Sequence, residues 1–150
     1  MSMMPIKYLT VHCTATPEGR PNTAEEVKAW DIKRFGQPSY HWVIELNGSV
    51  FRHLQDEERG AHVVNHNSGN IGIAYVGGTT TLNAGAKPKD TRTTAQKNAL
   101  KRLLVLYEQK YPGIVVLGHR DWPGVTKACP SFDVSAWIAA GMPIEQGVSS

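Results

Sequence analysis

The chain has 150 residues, 41% hydrophobic and 19% charged, a balance that supports one packed core and excludes a disordered chain. A formal net charge of +3 is too small to demand a nucleic-acid partner, but it tolerates an anionic polymer. No run approaches the ~18 apolar residues of a membrane span.

Met1–Pro5 opens no charged-then-apolar leader, so no signal peptide and synthesis in a cytosol are expected. A disulfide between Cys13 and Cys129 is not expected in that reducing setting. Ile6–Thr14, rich in Tyr, Thr, Val and Ile, reads as a strand. Thr23-Ala24-Glu25-Glu26 is a capping box and opens a helix to about Phe35, with Val27 and Trp30 inward and Gly36 ending it. Tyr40–Leu46 and Ser49–Leu54 flank Asn47-Gly48, which reads as a hairpin with both turn residues at positive φ. Ile71–Val76 is an apolar strand closed by Gly77-Gly78, and 77–93 reads as a long polar loop. Thr94–Lys110 is a helix whose apolar face is Ala99, Leu100, Leu103, Leu104, Leu106 and Tyr107. Gly113–Leu117 is a short buried strand, and Asp133–Ala140 a short helix with Gly141 past its end. This order predicts an α/β single domain over 1–150: a mixed central β-sheet flanked by helices, with a core over about 6–138 and a loose tail at 142–150.

His12, His119 and Cys129 supply two imidazoles and a thiol, the donor types zinc takes when a fourth position stays open for water. Their spacing alone does not separate a zinc site from unrelated residues. Strand alternation turns Cys13 to the face opposite His12, where it reads as a small buried hydrophobe. The basic run from Lys87 to Arg102 reads as a solvated loop and helix face. Gly77-Gly78 is not followed by the Lys-Ser/Thr of a phosphate loop, and the zinc-deaminase pattern is absent.

Six motifs occur in a fixed order: Val11-His12-Cys13-Thr14-Ala15-Thr16, Ser39-Tyr40-His41-Trp42-Val43-Ile44, His66-Asn67-Ser68, Gly72–Gly78, Gly118-His119-Arg120-Asp121 and Lys127-Ala128-Cys129-Pro130-Ser131-Phe132-Asp133. The series resembles the phage-lysozyme-type N-acetylmuramoyl-L-alanine amidases, relatives of the peptidoglycan recognition proteins, over about residues 6–138. The resemblance implies an amidase/peptidoglycan-recognition-like fold and one Zn2+ held by His12, His119 and Cys129. It implies hydrolysis of the amide between N-acetylmuramic acid and L-alanine in peptidoglycan. By the same match Tyr40 and Lys127 are catalytic. Lys127, two residues before Cys129, would stabilise the oxyanion; Tyr40 would steer water or share that task. His62 and Asn67 would line the substrate groove, and Trp122 would stack on a sugar face or pack. His41 reads as structural and His53 as surface or filler.

The expected partner is bacterial peptidoglycan, with no nucleic acid and no membrane, and the expected state a monomer. The setting the resemblance implies is a phage or prophage endolysin held in the host cytoplasm until lysis. Two rivals stand beside it. One is a peptidoglycan-binding module without catalysis, which retention of Cys129, Tyr40 and Lys127 opposes. The other is an amidase that also regulates a phage RNA polymerase, as one relative does.

Overall fold

Alternation along β1 (Tyr8–Cys13) sets the two sides of the molecule. Leu9, Val11 and Cys13 enter the main core, whereas Thr10 and His12 face the other way, equally buried. The computed structural model describes residues 5–81 and 85–144. The remaining strands are β2 (Thr16–Pro17), β3 (Trp42–Ile44), β4 (Val50–Arg52), β5 (Asn70–Tyr75), β6 (Gly78–Thr79) and β7 (Val115–Gly118). The helices are α1 (Ala24–Phe35), α2 (Thr94–Lys110) and α3 (Val134–Ala139).

The main sheet has the order β4-β3-β5-β1-β7, with β3, β5, β1 and β7 parallel and β4 antiparallel at the edge. Every residue of β5 is buried, as a central parallel strand covered on both faces requires. On one face Leu9, Val11, Ile71, Ile73 and Tyr75 pack with Leu100, Leu103 and Leu104 of α2 and Val134 and Trp137 of α3. On the other, Ala24 and Val27 of α1 pack on Val43 and Val76. This second cover is narrower, and it leaves the polar stretch of that face around Thr10 and His12 to other side chains. The mixed α/β sheet expected from the sequence is the observed architecture.

Both long helices start as their sequences direct. Thr23 Oγ1 accepts from Glu26 N at 3.1 Å while Glu26 Oε1 accepts from Thr23 N at 2.9 Å. Thr93 and Gln96 make the same reciprocal pair at 3.0 and 2.9 Å. Gly36 ends α1 with φ 79°.

Several expectations are corrected. Trp30 is 45% exposed and Leu106 51% exposed, because each helix has room for a narrower inner stripe than its apolar residues could fill. The hairpin strands are only three residues each, and Asn47 is not at positive φ. Gly48 alone takes φ 87°, donating to Glu45 O at 2.8 Å, while Asn47 Oδ1 accepts from Ser49 N at 2.9 Å. The stretch 77–93 is not a featureless loop. β6 pairs in parallel with β2, and Thr80 N donates to Lys87 O at 2.8 Å. Of the expected loose tail, 142–144 are tied down: Met142 N donates to Trp137 O at 2.8 Å, and Trp137 Nε1 to Pro143 O at 3.0 Å. The rest of that tail, 145–150, lies outside the described residues. Among the described residues no helix is long and apolar enough to cross a membrane.

Candidate active site

Three chain segments far apart in sequence converge on the polar side of the sheet. β1 carries His12, 1% exposed, at its C-terminal half. β7 ends at Gly118, and the turn His119–Asp121 follows at once, with Gly118 N donating to Asp121 Oδ2 at 2.8 Å. Because β7 pairs in parallel with β1, opposing Gly118 to Val11, that turn delivers His119 beside His12. Their ring centroids are 4.6 Å apart.

The Cys129 segment has its own anchors. Arg120 N donates to Cys129 O at 2.8 Å, the Tyr75 hydroxyl to Pro130 O at 2.6 Å, and Ser131 Oγ to Gly78 O at 2.9 Å. Ser131 holds φ 70°, and its N–H donates to Ala128 O at 2.7 Å. The sulfur is thereby set against β1, where Cys13 N donates to Cys129 Sγ at 3.2 Å.

One donor atom from each of His12, His119 and Cys129 lies within 4.8 Å of the others. His12 Nδ1 is 3.9 Å from Cys129 Sγ. A tetrahedral ion with ordinary metal–nitrogen and metal–sulfur bonds sets that separation near ~3.6 Å, so this pair is spaced as metal ligands are, and the group fits one metal ion once its wider separations, up to 4.8 Å, close in. Electrostatics agree. Burial, then His62, His119 and Lys127, hold the His12 pKa well below its usual value, and burial and Lys127 lower His119. Both rings are thus bare of the proton that would compete with a metal. The Cys13 thiol and burial push the Cys129 thiol up, so a cation beside it is what would make it a thiolate.

The cluster opens into a cleft of about 750 Å3 whose lining includes His12, His119, Tyr40 and Lys127. The Tyr40 ring lies 5.1 Å from that of His12, on the segment entering β3 rather than within the strand. Burial, then the neighbouring thiols and Asp31, push its pKa well above the usual phenol value. A phenol in this setting keeps its proton at neutral pH and has a hydrogen bond to donate. Lys127 is exposed, and among the described residues its ammonium pairs with no carboxylate.

The three expected groove residues fare differently. His62 borders the cleft but is 7% exposed with both ring nitrogens occupied, Nδ1 by His12 Nε2 and Nε2 by Asn70 O, each at 2.9 Å. Burial holds its pKa at about 3, so the ring is neutral. Asn67 borders the cleft too, but its Oδ1 accepts from His62 N and Val63 N at 2.8 Å each, leaving only its amide nitrogen for a ligand. Of the two readings open for Trp122, stacking on a sugar or packing, its surroundings favour packing. It is 7% exposed, donates to Thr10 Oγ1 at 3.0 Å and is stacked on His66 with centroids 4.7 Å apart. An indole N–H in a buried place needs such a partner, and Thr10 on β1 supplies it.

Other cleft residues carried no signal in the sequence. Asp31, Arg34 and Phe35 at the end of α1 form one wall. The position of β3 beside α1 turns them toward the cleft. Thr10 and Asn70 lie buried behind the cleft, polar residues inside apolar strands. His41 is structural as expected: Nδ1 accepts from Gly72 N at 3.0 Å and Nε2 donates to Glu58 O at 2.8 Å.

Comparisons with known proteins converge on one family. The profile for N-acetylmuramoyl-L-alanine amidase matches residues 2–132. An endolysin of Klebsiella phage KP32 is 34% identical over 128 residues, 85% of this chain and 82% of that protein. An endolysin of Enterobacteria phage K11 is 32% identical over 132 residues, 87% of this chain and 84% of that one. Among solved structures, the N-acetylmuramoyl-L-alanine amidase LysC from Clostridium intestinale shares the fold with TM-score 0.74 at 21% identity, covering 93% of this chain and 86% of its own.

Proposed function

The chain belongs to the N-acetylmuramoyl-L-alanine amidase family, and on that premise we propose that it is a zinc-dependent endolysin cleaving the amide between N-acetylmuramic acid and L-alanine in peptidoglycan. The observation that carries this reading is the convergence of His12, His119 and Cys129 donor atoms within 4.8 Å beside a cleft that also holds Tyr40 and Lys127.

His12 Nδ1, a His119 ring nitrogen and Cys129 Sγ would hold the ion. Bound there, zinc supplies Lewis acidity that polarises the scissile carbonyl and makes water a competent nucleophile at neutral pH. The chain's own residues do the rest. The Lys127 ammonium, without a carboxylate partner among the described residues, stabilises the oxyanion as the carbonyl carbon turns tetrahedral. Tyr40, held protonated by burial, donates a hydrogen bond to the same developing charge or to the attacking water. Asn67 offers its amide nitrogen to the stem peptide. Phe35 and the 82% exposed Val64 border the cleft with apolar surface. The setting follows from similarity to phage endolysins: accumulation in the host cytoplasm, then attack on the wall at lysis.

Digestion of purified peptidoglycan tests the reading. Release of new L-alanine amino termini, lost on chelation and restored by zinc, is the expected result. A zinc-loaded protein that binds walls and releases no amino termini is a binding module instead.

A further inference from the structure

His62 entered as a candidate groove residue, yet it has no ring nitrogen to offer a substrate. Its surroundings assign it another task, through a chain of donors and acceptors in which each step forces the next. Asn70 O is a carbonyl and can only accept, so His62 Nε2, 2.9 Å away, carries the proton. The His62 ring is buried with a carbonyl and an imidazole as its partners and no carboxylate against it among the described residues, so it carries a single proton, and Nδ1 is bare and can only accept. His12 Nε2 lies 2.9 Å from it, so His12 Nε2 is the protonated nitrogen. That leaves His12 Nδ1 bare, and Nδ1 is the atom facing Cys129 Sγ at 3.9 Å.

The ring that starts this chain is held firmly. Cβ atoms placed at Gly60 and Gly72 would lie 2.8 and 2.9 Å from the His62 ring, so only glycine at both positions lets the imidazole seat there. Its backbone N–H is fixed by Asn67 Oδ1 at 2.8 Å. Asn70 is fixed in turn: Oδ1 accepts from Thr10 Oγ1 at 2.8 Å, and Nδ2 donates to His66 O at 2.7 Å. Thr10 precedes His12 by two residues on the same face of β1. The path Thr10, Asn70, His62, His12 thus closes on itself across the β1–β5 pairing that sets Tyr8 opposite Asn70.

We propose that His62 is a positioning residue that locks His12 in its Nε2-protonated tautomer and aims Nδ1 at the metal. Metal-binding histidines need such a partner for the nitrogen turned away from the ion, and its loss costs ~10–100-fold in metal affinity. This inference rests on the zinc reading above, and its test separates the two.

Two arms decide it. The first is long-range nitrogen–proton NMR of the zinc-loaded, unmutated protein. His12 should show a protonated Nε2 and a metal-bound Nδ1, and His62 a protonated Nε2 and a bare Nδ1. A His12 bound to zinc through Nε2 overturns the proposal without any variant, which keeps the test alive should a substitution unfold the chain. The second arm is zinc affinity, measured by chelator competition, in a nearly isosteric pair. His62→Leu removes the acceptor and should weaken zinc ~10–100-fold. His62→Asn places Oδ1 where Nδ1 was and should recover most of that loss, with the two metal-free proteins melting alike. Equal affinity in both variants, whether undiminished or equally reduced, overturns the proposal. An unmutated protein that takes up no zinc overturns the metal reading itself.

Discussion

The Tyr107 hydroxyl on α2 donates to Asp56 Oδ1 at 2.6 Å, joining two positions 51 residues apart. Asp56, its side chain 1% exposed, also accepts from Tyr111 at 2.7 Å, Lys110 at 2.8 Å and Arg52 at 2.6 Å. A buried carboxylate so surrounded is satisfied at every lone pair, and these bonds outweigh the cost of its burial, lowering its pKa to about 2. The sign follows from the lowered value. The stabilisation is present above the ordinary carboxylate pKa near ~4 and is lost as pH falls toward about 2. Asp56→Asn should cost on the order of 2 kcal/mol at pH 7, because it removes the charge from two cations. Urea unfolding at pH 7 and pH 2.5 checks this. The gap between the two proteins should shrink at the lower pH, and a gap that widens refutes the account.

Cys129→Ala should leave the fold intact, since Tyr75, Arg120 and Ser131 anchor the loop even without the bond from Cys13 N to the sulfur. Zinc content should fall below one ion per chain and amide hydrolysis by ~10³-fold or more, the several kcal/mol a Lewis acid supplies. Elemental analysis beside circular dichroism reads both. Full zinc occupancy in the mutant removes Cys129 from the ligand set.

Lys127→Ala should keep its zinc and lose ~10²–10³-fold in turnover, the usual loss for one oxyanion donor. The loss belongs in kcat rather than KM, because the ammonium acts on charge that appears only in the transition state. Near-normal kcat would place Lys127 outside the mechanism.

Tyr40→Phe should lower turnover and leave the basic limb of the pH–rate profile where it is. The raised phenol pKa keeps Tyr40 protonated through neutral pH, so the basic limb belongs to another group. A basic limb that vanishes in Tyr40→Phe would make the phenol a titrating base and overturn its role as donor.

Much of this protein was legible before any coordinates. Thr23 fixes the start of α1 because its cap is a contact within four residues; the equivalent cap at Thr93 came only with the structure. Strand alternation placed Cys13 opposite His12. The ordered motifs, from Val11-His12 to Ala128-Cys129-Pro130, singled out three residues, His12, His119 and Cys129, that the fold then drew together. Trp30 and Leu106 were misplaced, and Trp122 was left between stacking and packing, because an apolar side chain does not state which neighbour will cover it.

The local periods and caps, then, were determined by the sequence alone, since each depends on residues a turn or a strand pair apart. His62 illustrates what was not. Nothing near it in the chain distinguishes a groove residue from a partner of His12, 50 positions away. That choice belongs to the β1–β5 register and to the two glycines that admit the ring. Hydrogen-bond geometry is short-ranged in space, and only the folded sheet turns distance along the chain into 2.9 Å.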